Sequence, residues 1–150
     1  MADIETQEQD PPGVDLTALT NYLRAQRPDL AVGPLTAELI AGGRSNLTYF
    51  ISNDDATFVL RRPPLGHVLD TAHDMSREFR VISALYGTNV PVAEPILFCD
   101  QRDVIGAPFY LMAKVDGAVL REFEDAMAIG AAQIPQLSYR LVNTLGRLHA

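Results

Sequence analysis

Three groups of residues in this chain have the chemistry to hold an anion beside an apolar surface. A glycine-rich turn, Ala41-Gly42-Gly43-Arg44-Ser45-Asn46, brings backbone N–H groups close to a bound anion, because glycine has no Cβ to block the approach. Arg44 adds a charge there, and Ser45 and Asn46 add side-chain donors. The run Phe58-Val59-Leu60-Arg61 reads as a strand, and strand side chains alternate between faces. Val59 and Arg61 therefore share one face, while Phe58 and Leu60 share the other. An apolar residue two positions before a cation suits a ligand with a flat base at one end and phosphates at the other. The third group is Glu78, which interrupts an apolar helical stripe of Met75, Ile82 and Leu85. A carboxylate on such a stripe costs desolvation unless it is paired. The nearest cation on the sheet predicted to pack there is Arg61.

Each group also has an ordinary reading. Gly42-Gly43 alone is a plain hairpin turn, Arg61 a strand-end arginine meeting solvent as expected for Arg62, and Glu78 a stripe-edge residue paired with Arg77 or Arg80. The order of the groups along the chain favours the internal Glu78–Arg61 pair.

The elements that must position these residues follow from periodicity and turn chemistry. Asp15 is a good N-cap for a short amphipathic helix carrying Leu16, Leu19 and Leu23 and ending before Pro28. Strands are predicted over 35–40, 47–52 and 56–62, with Asn53-Asp54-Asp55 as a turn and Pro63-Pro64 as a stop, giving an antiparallel meander. A helix over 75–86 closes at Gly87, and strands over 96–99 and 108–115 are joined by the polar segment Asp100-Gln101-Arg102-Asp103. This is an α+β arrangement: a five-stranded antiparallel sheet with one long helix packed on it. Residues 1–14 read as a disordered lead-in, 15–115 as the sheet-bearing lobe, and 116–150 as a linker and first helices of a further lobe. Leu137, Leu141, Leu145 and Leu148 form an apolar stripe on the last helix that nothing downstream covers.

Bulk properties narrow the function class. A net charge of −7 argues against a nucleic-acid surface, which needs clustered cations. No apolar run approaches the length needed to span a bilayer, and the acidic, polar N-terminus does not resemble a signal peptide. The single cysteine, Cys99, lies in an apolar run and is expected to be a buried, inert thiol in a reducing cytoplasm. His67, His73 and His149 have no metal-ligand spacing, and the single lysine, Lys114, is expected to be exposed.

Assembled, these residues resemble the N-terminal lobe of the aminoglycoside phosphotransferase-like (choline kinase-like) family. The segment from Gly42 to Tyr49 resembles its phosphate loop and second strand, Val59 to Pro64 its third strand, and Ser76 to Arg80 the helix that carries its glutamate. Tyr110 to Gly117 resembles its hinge, and Leu145-Gly146-Arg147-Leu148-His149 the helix that opens its C-terminal lobe. The subgroup it most resembles is related to the kinase domains attached to acyl-CoA dehydrogenases, which implies a hydroxyacyl or similar small hydroxylated substrate.

The resemblance implies ATP as a bound partner, with magnesium in the complete enzyme. Gly42, Gly43, Arg44, Ser45 and Asn46 would hold phosphates, with Arg61 anchored by Glu78. Val59 would cover the adenine, and Met112, Ala113 and Val115 would line the hinge, the Ala113 carbonyl and Val115 N–H reading the base edge. Arg61 stands where the wider family uses lysine, and arginine still binds phosphate. The family's His-Gly-Asp catalytic loop and metal-binding aspartate would fall past Ala150, so the chain alone is expected to be inactive. The alternative expectation is a non-catalytic module that binds a partner or itself through the stripe Leu137, Leu141, Leu145 and Leu148.

Overall fold

The computed structural model describes residues 10–40, 45–66 and 74–149. Helix α1 spans Leu16–Gln26, and the Asp15 carboxylate caps it by accepting the Ala18 N–H at 2.8 Å. Strands β1 (Thr36–Leu39), β2 (Leu47–Ser52) and β3 (Thr57–Arg62) form the meander. Helix α2 (Met75–Leu85) follows, then β4 (Pro95–Cys99), a short helix α3 (Arg102–Ile105) and β5 (Phe109–Ala113). Helices α4 (Phe123–Ala128) and α5 (Ile134–Leu148) complete the described chain. The five strands make one antiparallel sheet in the order β1-β2-β3-β5-β4. The α+β class and the five-stranded sheet are as the sequence predicts.

The turn between β2 and β3 closes as its residues dictate. Asn53 Oδ1 accepts the N–H groups of Asp55 and Ala56 at 2.9 and 2.7 Å, and Asn53 Nδ2 donates to the Leu30 carbonyl. Gly33 approaches this turn closely in the left-handed region, with φ of +70°, and a Cβ there would lie 2.1 Å from Asp54 Oδ2. Gly33→Ala is expected to cost about 1–2 kcal/mol, the penalty of a Cβ in that conformation, read as a lower urea midpoint at unchanged m-value.

The sheet is covered on both faces. One face presents Tyr49, Ile51, Phe58, Leu60, Phe109 and Leu111 to Leu19 and Leu23 of α1, and all of these are buried. Cys99 and Ile105 join this core, and Tyr22 meets Phe109 edge-on at 5.9 Å. The other face carries α2, whose Phe79 stacks on Phe98 at 5.8 Å. The main core therefore lies under α1 and α3 rather than under the long helix α2.

Two expectations are corrected. Residues 10–14 are not part of a loose lead-in: Val14 is buried, the Tyr49 hydroxyl donates to the Pro12 carbonyl, and Arg62 Nη1 donates to the Gly13 carbonyl. Two buried donors need acceptors, and this segment supplies them. Arg62 does not meet solvent; it is 5% exposed, and its guanidinium also donates to the carbonyls of Ile105 and Pro63. The polar segment after β4 leads into the helical turn α3, Arg102–Ile105, which places Ile105 in the core and its carbonyl on Arg62. As expected, Cys99 is buried.

Candidate functional site

The face of the sheet beneath α2 is built in two rows. Strand register places Val59 between Phe50 of β2 and Met112 of β5, an apolar row. Two residues further along β3, Arg61 lies between Thr48 and Tyr110, a polar row. Strand rise sets these rows about 7 Å apart, the scale that separates a base from the phosphates of one ligand. Phe58 and Leu60 point into the opposite core, so alternation alone makes Arg61 available on the α2 side.

Glu78 is the hub of the polar row. Its Oε2 accepts Arg61 Nε at 2.9 Å and the Tyr110 hydroxyl at 3.1 Å, while its Oε1 accepts Asn46 Nδ2 at 2.8 Å. The internal Glu78–Arg61 pair expected from the sequence is thus formed, with each side chain about one-third exposed at 32% and 35%. Burial is the main cause that holds the Tyr110 phenol above its ordinary pKa; the Glu78 carboxylate adds to this and the Arg61 charge opposes it. Tyr110 therefore remains a neutral donor at physiological pH. Phe79 of α2 packs against the Tyr110 ring at 5.9 Å and fixes its position.

The other expected site residues are distributed as follows. Gly42, Gly43 and Arg44 lie outside the described residues. Ser45 is exposed at the entry to β2, and Asn46 beside it is turned inward, 5% exposed, onto Glu78. Ala113 ends β5, and its N–H donates to the Glu94 carbonyl at 2.9 Å. Val115, beyond the strand end, is 71% exposed. Lys114 is exposed, pairs with Asp116 at 2.9 Å and sets its Nζ 5.7 Å from the centre of the Phe50 ring. A cavity of about 470 Å³ lies past the C-terminal end of β3, among Arg62, Pro63, Met75, Phe98 and Pro108, away from the row of Phe50, Val59 and Met112. Among the described residues no group of His, Cys, Asp and Glu could hold a metal ion, and no helix is long and apolar enough to cross a membrane.

An arginine–glutamate pair thus joins β3 to α2, beside an apolar row that ends at a strand exit. Residues 36–150 match the phosphotransferase enzyme family. The chain belongs to this family. Its similarity extends to two acyl-CoA dehydrogenase family members: member 11 of Rattus norvegicus, 34% identical over 91% of this chain, and member 10 of Mus musculus, 37% identical over 70% of it. The chain spans 18% and 10% of the lengths of those relatives. These relatives agree with the subgroup that the sequence resembles. A crystal structure from Ralstonia eutropha JMP134, assigned to the aminoglycoside phosphotransferases, superposes with a TM-score of 0.60 at 36% identity, covering 72% of this chain and 30% of that one. The sheet and α2 thus form a kinase-like phosphotransferase N-lobe.

Sequence reasoning missed one member of the polar row, Tyr110, and misread two other residues, Asn46 and Arg62. Tyr110 was legible only as part of a hinge strand, because its pairing opposite Arg61 depends on β3–β5 register across a long connection. Asn46 read as a loop donor, since nothing local shows that it faces Glu78. Arg62 carried a usable signal: alternation puts it on the face of Phe58 and Leu60, which is the buried one.

Proposed function

We propose that this chain is the ATP-holding lobe of a small-molecule phosphotransferase that phosphorylates a hydroxyl group. The observation that carries the reading is the Glu78-held Arg61, one row along the sheet from Phe50, Val59 and Met112. The apolar row is shaped to cover the adenine, and the Ala113–Val115 exit to meet its edge. The Arg61 guanidinium, anchored through Nε, faces the phosphates, and arginine recognises phosphate oxygens with a two-pronged fork. Ser45, with the preceding glycine turn, is suited to donate to the terminal phosphates. Magnesium, when bound with the nucleotide, neutralises phosphate charge during transfer. A small hydroxylated acceptor of hydroxyacyl type fits the named relatives, and the cytoplasm suits a chain with one unpaired, buried cysteine.

The test is a thermal-shift titration with ATP and adenosine, paired with sedimentation of the unliganded chain. ATP is expected to stabilise the chain by about 2.7 kcal/mol at a hundred times its Kd. A second reading, an interaction module, is favoured by the exposure of Leu137, Leu141, Leu145 and Leu148 along α5, between 36% and 64%. Concentration-dependent dimerisation with no shift at millimolar ATP would select it.

A further inference from the structure

We infer that Asn46 is a positioning residue that keeps the phosphate-facing edge of Arg61 open. The inference rests on the nucleotide-binding reading above and concerns how that site is held ready. A carboxylate beside a guanidinium ordinarily closes on it with both oxygens, forming two parallel N–H···O bonds. Here the pair is single: Arg61 donates only Nε, to Oε2 of Glu78. The second oxygen, Oε1, is taken by Asn46 Nδ2 at 2.8 Å. The Tyr110 hydroxyl at 3.1 Å holds Oε2 from the sheet side, so the carboxylate is fixed from both ends. Arg61 Nη1 and Nη2 consequently have no hydrogen-bond partner among the described residues, while the side chain stays 32% exposed. Both terminal nitrogens are left for a phosphate group.

Asn46 also adjoins the glycine-rich turn in sequence, and the residue is buried, 5% exposed. It therefore links the start of β2 to α2 through Glu78. Lysine at position 61 would gain little from such protection, because its three donors rotate about one nitrogen and it has no planar two-nitrogen edge for a carboxylate to close. Asn46 thus serves the arginine at position 61 specifically.

The experiment is a double-mutant cycle read by calorimetric titration of the chain with ATP and with adenosine. Asn46→Ala is expected to raise the Kd for ATP about 10-fold, the worth of one lost charge-assisted contact, and to leave the Kd for adenosine within about twofold. In an Arg61→Lys background the same substitution is expected to change the Kd for ATP by less than about twofold, a coupling that neighbours acting as one unit must show. Equal factors in both backgrounds, or a parallel loss of adenosine affinity, would make Asn46 a structural residue and overturn the inference while leaving the nucleotide reading in place. No ATP binding by the unsubstituted chain would overturn that reading, and the inference with it. Should Asn46→Ala fail to fold, Asn46→Ser also cannot reach Oε1 and takes its place. Nitrogen NMR of the Arg61 guanidinium gives an independent readout: Nη rotation is expected to slow in the variant as Glu78 closes on it, and unchanged rotation counts against the inference.

Discussion

Glu78→Ala is expected to weaken ATP binding about 30-fold while leaving adenosine binding within about twofold, because hydrogen bonds to charged groups contribute about 1.5–3 kcal/mol. Three donors converge on this carboxylate: Arg61 Nε, the Tyr110 hydroxyl and Asn46 Nδ2. Without it the guanidinium keeps its charge but loses its anchor, so a phosphate must order a free arginine on binding. The apolar row of Phe50, Val59 and Met112 is untouched, which is why the base alone should bind as before. Glu78→Gln is expected to fall between, since its amide oxygen still accepts while its nitrogen sets a donor against either Asn46 Nδ2 or the pair of Arg61 Nε and the Tyr110 hydroxyl. Calorimetric titration with both ligands checks the split. Equal losses for ATP and adenosine would mean that the helix had shifted, and that Glu78 holds the fold rather than the phosphate-facing cation.

Arg62→Ala is expected to destabilise the fold by about 3 kcal/mol, since each buried acceptor left unsatisfied costs about 1–3 kcal/mol. Its neighbour Arg61 is expected to change stability by less than about 1 kcal/mol on the same substitution, as a partly exposed ion pair does. Arg62 donates to the carbonyls of Gly13, Ile105 and Pro63, and so ties the N-terminal segment, α3 and β3 together. No carboxylate pairs with it among the described residues, and burial pulls its pKa below the ordinary arginine value. The desolvation it already bears offsets part of what its removal loses, which keeps the expected figure below a plain sum. Lysine should not rescue, because one ammonium cannot reproduce a planar fork that reaches three carbonyls. Urea denaturation of the two alanine variants provides the comparison. Equal midpoints would refute the division of labour between these adjacent arginines.

That contrast shows how much of this molecule is legible in its residues. Local chemistry determined the strands, the turn at Asn53, the Asp15 cap, and the alternation that sets Arg61 apart from Phe58 and Leu60. Glu78 announced itself as a carboxylate out of place on an apolar stripe, and its partner followed from charge. Each of these depends on a few neighbouring residues, so a short stretch of chain contains all the information. The pairing of Tyr110 with Arg61, the inward turn of Asn46 and the burial of Arg62 depend on contacts between residues 32 to 49 positions apart. Such contacts are set by sheet register and by which face α1 and α3 cover, and these are decided only when the whole core closes.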